Sequence, residues 1–134
     1  MKVVLDANVV LAAFCFPGVC RSVMDVCIDS HDLITSEYLL SEIRDHLREK
    51  FGHNEAMADE RILLLRDAAT VVTPVNIPDD ACRDADDLPV LGTMVAGDAQ
   101  CLVTGDHDLL TLGQYDGRMI LSPRGFWDRL RDPA

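Results

Sequence analysis

Lys2-Val3-Val4-Leu5-Asp6-Ala7-Asn8 sets the fold class of this chain. A short apolar run rich in Val, with no polar alternation, suits a strand buried on both faces, and such strands belong to parallel sheets covered by helices. The run stops at Asp6, so Asp6-Ala7-Asn8 sits where that strand ends. Cys101-Leu102-Val103-Thr104 repeats the pattern and stops just before a second acid, Asp106.

Between these two runs, strand and helix patterns alternate. Phe16-Pro17-Gly18 is a chain breaker, after which Val19, Val23, Val26 and Cys27 follow helical spacing. Leu33 to Thr35 reads as a second strand. Ser36 to Phe51 reads as a helix whose Leu39, Leu40, Ile43, Leu47 and Phe51 form one stripe. Thr35 or Ser36 can cap its start, and Gly52 follows its end. Asn54 to Ala69 reads as another helix with Asn54 as cap, and Thr70 to Thr73 as a strand. Val75 to Asp86 is the one long connection. Leu88 to Gly97 reads as a helix, with Asp86 or Asp87 at its cap and Pro89 in its first turn, where proline is tolerated. Arg118 to Leu121 is the last strand and Pro123 to Arg131 the last helix. The alternation predicts an α/β domain with a mainly parallel central sheet, right-handed crossovers and helices on both faces.

Composition narrows the partners. The 134 residues have the size of one domain, 1–134, and 49% of them are hydrophobic, so the chain can bury a core of its own. The 12 basic against 23 acidic residues give a formal charge of −11, which excludes a domain held on nucleic acid by a broad basic face. Five cysteines with no Cys-x-x-Cys pair predict reduced thiols and a cytoplasmic location. Asp6 and Asn8 interrupt the N-terminal apolar run before it becomes a secretory signal, and Val9 to Phe16 is too short to span a membrane.

In an open α/β sheet, ligands bind beyond the carboxyl ends of the strands. Asp6 and Asp106 are expected at that edge. Asp87, with Asp84 and Asp86 beside it, opens the helix leading into the second of those strands, and Glu42 borders the apolar stripe of the long helix. Each acid has a plain structural reading of its own: Asp6 as a loop cap, Glu42 as a solvated helix residue, the five aspartates of Asp79 to Asp87 as an acidic loop, Asp106 as a turn former. Asp108 is expected to cap the short helix through Leu110, with metal binding as its second reading. Brought together, four carboxylates repel one another unless a cation sits among them. All-oxygen donors suit Mg²⁺ or Mn²⁺, and such an ion activates water and clamps a phosphodiester.

Other features read as structure. His107 reads as an exposed turn residue, and His31, His46 and His53 make no spacing that suggests a site. Arg44, Arg48 and Lys50 on the long helix, and Arg118, Arg124, Arg129 and Arg131 near the C-terminus, read as surface paired with nearby acids, or more sharply as a rim that positions phosphates. A haloacid-dehalogenase-like phosphatase would need an Asp where Asn8 stands. A response-regulator receiver would need a late lysine, and Lys2 and Lys50 are the only two.

The order Val3-Val-Leu-Asp6-Ala-Asn8, Glu42 on a helix, Asp84-Ala-Asp86-Asp87, then Leu102-Val-Thr-Gly-Asp106-His-Asp108-Leu resembles the PIN-domain family, in particular its toxin-like, VapC-like branch. The resemblance runs through nearly the whole chain. It implies a three-layer α/β/α sandwich and Mg²⁺- or Mn²⁺-dependent cleavage of RNA. It assigns Asp6, Glu42, Asp87 and Asp106 to the four acidic positions, with Asp84 or Asp86 able to replace Asp87 and Asp108 as an addition. Asn8 and Thr104 match polar positions that support the acids. Ala7 departs from the family's frequent threonine, and Pro89 and Gly92 make the third motif's helix less regular. The resemblance further implies an RNA substrate, an antitoxin protein as partner, and a homodimer. The competing reading is a metal-dependent RNA-binding or interaction module that keeps the acids without cutting.

Overall fold

The computed structural model describes residues 1–131. Strand β1 (Lys2–Leu5) lies at the middle of a six-stranded sheet ordered β3-β2-β1-β4-β6-β5. Here β2 is Asp32–Ser36, β3 Ala69–Val72, β4 Cys101–Val103, β5 Gln114–Tyr115 and β6 Arg118–Leu121. Every pairing is parallel except the β5–β6 hairpin at one edge. Val3, Val4 and Leu5, like Cys101, Leu102 and Val103, are buried in succession rather than alternately. That is the mark of strands covered on both faces. The helices are α1 (Ala7–Cys15), α2 (Val19–Ser30), α3 (Glu37–Glu49), α4 (Glu55–Ala68), α5 (Leu88–Ala96), α6 (His107–Leu112) and α7 (Pro123–Arg131). The architecture is the three-layer α/β/α sandwich expected from the sequence.

Most elements fall within a residue or two of their expected bounds. Ser36 caps α3, its Oγ accepting the Leu39 N–H at 3.4 Å. Asn54 caps α4 through Met57 N–H at 2.8 Å. Gly52, at φ +68°, takes the chain out of α3 in a conformation that side chains resist.

Two elements escaped the sequence reading. Helix α1 begins directly where β1 ends, with Asp6 as its N-cap. Its run from Val9 onward carries no helical stripe because most of its surface is buried, so no polar residues mark a period. Strand β5 is two residues long and defined by its pairing with β6.

The topology places the site. Strand order reverses at β1, which has β2 on one side and β4 on the other. The C-terminal edge between β1 and β4 is thus a switch point, where outgoing loops diverge and leave a crevice. Among the described residues no single helix is long and apolar enough to cross a membrane, and no two of the five cysteines are bonded to each other.

Candidate functional site

Asp6 and Asp106 emerge from the two central strands at this crevice. Asp6 is only 6% exposed. One of its oxygens accepts the Ala7 N–H at 2.9 Å; the other accepts the Thr104 hydroxyl at 2.6 Å and the Asn8 amide at 3.4 Å. Burial pushes the Asp6 carboxyl above its ordinary pKa against the pull of these donors, and the charge of Asp106 adds to the rise. The Asn8 carbonyl oxygen accepts the Gly105 N–H at 3.1 Å, tying the β4–α6 loop to α1. Asn8 and Thr104 thus hold the places expected of them beside the acids.

Asp106 is the N-cap of α6, its Oδ2 accepting the Leu109 N–H at 3.1 Å. This corrects the expectation that Asp108 caps that helix. Asp106 lies in extended backbone just before the first turn, where a side chain reaches the free N–H groups, whereas Asp108 is already inside that turn. Released from capping, Asp108 offers a carboxylate oxygen that lies with one from Asp87 and one from Asp106 within 4.8 Å of one another.

Asp87 is likewise not spent on a cap. It occupies the N-cap position of α5 but makes no side-chain cap bond. Asp84 caps the short 3₁₀ turn Ala85–Asp87 instead, accepting the Asp86 N–H at 2.9 Å. The expectation that Asp86 or Asp87 caps the helix therefore holds for position and not for bonding. Partial burial, the Asp106 carboxyl beside it, and the charges of Asp84 and Asp6 push Asp87 up to about 8. Glu42, one turn after Tyr38 on α3, is also raised, first by burial and then by Asp6.

Asp6, Glu42, Asp84, Asp86, Asp87 and Asp106 line one open cleft of about 410 Å³. Among the described residues no arginine lines it. Burial first, and then the neighbouring carboxylates, raise three of these acids, and a hard, all-oxygen donor set of this kind suits Mg²⁺ or Mn²⁺. Asp87, Asp106 and Asp108 stand close enough to share one ion.

Two side chains near the acids carried no usable signal. Tyr38 donates its hydroxyl to the Asp86 carbonyl at 2.9 Å and stands beside Glu42, so it ties the acidic loop to α3. Burial and then the charge of Glu42 push its hydroxyl up to about 12. Its place one turn before Glu42 was the only sequence clue. His46 lines the cleft because it lies one turn after Glu42, a relation that spacing among histidines does not reveal.

Comparison with known proteins bears on the fold and the family. The PIN domain family model matches residues 2–108. A chain in the crystal structure of VapBC2 from Rickettsia felis, bound to a DNA fragment from their promoter, superposes with a TM-score of 0.61. The match is 13% identical and covers 90% of this chain and 97% of that one. At that identity the likeness bears on the fold. No curated protein matches the sequence significantly. The model match spans the first acid, the last and all those between, and on it the chain belongs to the PIN domain family, whose members are generally nucleases.

Proposed function

We propose that this protein is a metal-dependent endoribonuclease, the toxin of a type II toxin–antitoxin pair. In this reading Asp6, Glu42, Asp87 and Asp106 form the site, with Asp108 as a further ligand and Asp84 and Asp86 as acidic surroundings. The observation that carries it is the convergence of carboxylates in one open cleft at the switch point. Strands β4 and β6 pair across the end of the matched region, which supports one PIN-like domain over 1–134. Likeness to a VapBC2 chain supports the toxin role and an antitoxin protein as partner. A homodimer and a cytoplasmic setting complete the proposal.

The chain's own groups divide the work. Asp87, Asp106 and Asp108, with Asp6 in the same cluster, would hold Mg²⁺ or Mn²⁺. Bound there, such an ion would lower the pKa of water and neutralise charge on the phosphodiester. Glu42, lining the cleft from α3 and raised in pKa, is suited to take the proton shed as the water oxygen bonds to phosphorus. The P–O bond opposite breaks, and its oxygen leaves with a proton from solvent. Thr104 and Asn8 keep Asp6 in place.

The test is cleavage of a mixed pool of labelled single-stranded RNA in Mg²⁺, in Mn²⁺ and in chelator, beside Asp6→Asn and Asp106→Asn. Metal-dependent cutting that both variants lose is the expected result. Binding of RNA without cutting in either metal would overturn it in favour of a non-catalytic module.

A further inference from the structure

The cleft does not end at the acids. Glu42 and His46 lie at successive turns of α3, Lys50 follows as its C-cap, and all three line the cleft. Eight residues of helix separate Glu42 from Lys50, about 12 Å at 1.5 Å per residue. At this far end Phe16 and Phe51 meet edge to face, with ring centroids 6.0 Å apart and planes at 70°. Phe16 sits on the breaker between α1 and α2 and stays 55% exposed. Phe51 is fixed by the end of α3, where the His53 N–H closes back on the Leu47 carbonyl at 2.9 Å.

The charge pattern is as specific as the shape. Arg44 pairs with Asp59 at 2.7 Å and with Glu55, Arg118 pairs with Asp98 at 2.9 Å, and Arg66 pairs with Glu37. Among the described residues lining the cleft, Lys50 alone carries a full positive charge, and it forms no ion pair with described residues. An exposed aromatic and a lone ammonium at one end of a cleft whose other charges are acidic fit a base stacked on a ring and a phosphate held by a lysine.

We infer that the Phe16–Lys50 end of the cleft is a nucleotide subsite for single-stranded RNA. There a base stacks on Phe16 and its phosphate meets Lys50, about 12 Å of helix from Glu42. This inference rests on the ribonuclease reading above and adds the recognition of the strand beside the scissile bond.

The test reads binding and cutting separately. Binding of a fluorescein-labelled 12-nucleotide single-stranded RNA is measured in Ca²⁺ by anisotropy, and kcat and KM are measured in Mn²⁺. The proteins are the wild type, Phe16→Leu, Phe16→Trp and Lys50→Ala. Since Phe16 is exposed, its variants keep the core. Phe16→Leu is expected to weaken RNA binding about 5- to 100-fold while Phe16→Trp binds within about twofold of wild type. Lys50→Ala is expected to weaken binding and flatten its salt dependence by about one unit of slope. Both losses should enter KM and leave kcat within about twofold. RNA affinity that ignores Leu against Trp at position 16, or a salt slope unmoved by Lys50→Ala, overturns the inference. So does an absence of RNA binding. If the wild type binds in this pattern and cuts nothing, the subsite stands and the nuclease reading falls. If it cuts and Phe16 is immaterial, only the subsite falls.

Discussion

Thr104 donates its hydroxyl to the Asp6 carboxylate at 2.6 Å, and the same oxygen accepts the backbone N–H of Asp106 at 3.0 Å. One fully buried side chain, 98 positions from Asp6 in the chain, thereby fastens Asp6 to Asp106. Removing only the hydroxyl tests what that joint does. Thr104→Val keeps the shape but strips a donor from a buried carboxylate and an acceptor from a backbone N–H. A cost of about 1–3 kcal/mol is expected for each buried group left unsatisfied. Mn²⁺ affinity should fall about 10- to 100-fold, the usual effect of losing a group that orients a ligand. Thr104→Ser restores both. Chemical denaturation and calorimetric titration with Mn²⁺ check the pair.

Asp106 serves as cap and as candidate ligand, and one substitution separates these roles. Asparagine accepts the Leu109 N–H as well as aspartate does, so Asp106→Asn keeps α6. It also removes a negative charge beside Asp87. The metal-free variant should be at least as stable as wild type, while RNA cleavage falls by more than about a hundredfold. A thermal melt without metal, set beside a cleavage assay, distinguishes this from a merely structural aspartate, whose loss would lower both together.

The acidic cluster also fixes the sign of a pH effect. Asp6, Glu42 and Asp87 all have carboxyls raised in the folded state, Asp87 to about 8. Between the ordinary carboxylate range and about 8, the folded protein therefore binds more protons than the unfolded chain, and stability falls as pH rises. The metal-free protein should lose stability steadily from about pH 5 to about pH 8 and level off above. Added Mn²⁺ should flatten that slope by replacing the protons, and Asp87→Asn should remove much of it. Urea midpoints across this range, in chelator and in Mn²⁺, are the measurement; a midpoint that rises with pH in chelator would contradict the assigned shifts.

The sequence exposed what depends on local chemistry. Strands β1 and β4 were legible because continuous burial leaves a continuous apolar run, and α3 and α4 because Ser36 and Asn54 mark their starts. Asp6 and Asp106 were legible because each ends such a strand. Helix α1 was not, since a helix buried on most sides has no polar face to give a period. The exchange of capping roles between Asp106 and Asp108 was also hidden, because both stand at the start of a short helix and only backbone angles decide which one bonds. Lys50 could be read as rim or as surface. Only the fold showed that its arginine neighbour Arg44 is paired to acids while Lys50 lines the cleft.

Gly92 links the long connection to the acid at the head of α5. The Val75 N–H donates to the Gly92 carbonyl at 3.2 Å, and a Cβ added at Gly92 would stand 2.4 Å from the Val75 carbonyl oxygen and 3.1 Å from Cβ of Pro74. Two effects of Gly92→Ala oppose each other. Alanine within a helix gains about 0.5–1 kcal/mol over glycine. Forcing a methyl against a backbone carbonyl costs about 1–3 kcal/mol, because the obstacle cannot rotate away as a side chain would. Overpacking should win, leaving the variant less stable by about 1–2 kcal/mol. Relief by tilting α5 would move its first turn, and with it Asp87, away from Asp106. Gly92→Ala is therefore expected to weaken Mn²⁺ binding although Gly92 touches no acid. Gly113→Ala, where nothing lies within 4 Å of an added Cβ but φ is +70°, should lower stability by backbone strain alone and leave Mn²⁺ affinity unchanged. Denaturation and Mn²⁺ titration of the two variants side by side decide it: equal Mn²⁺ affinity in both would show that the packing of α5 does not set the position of Asp87.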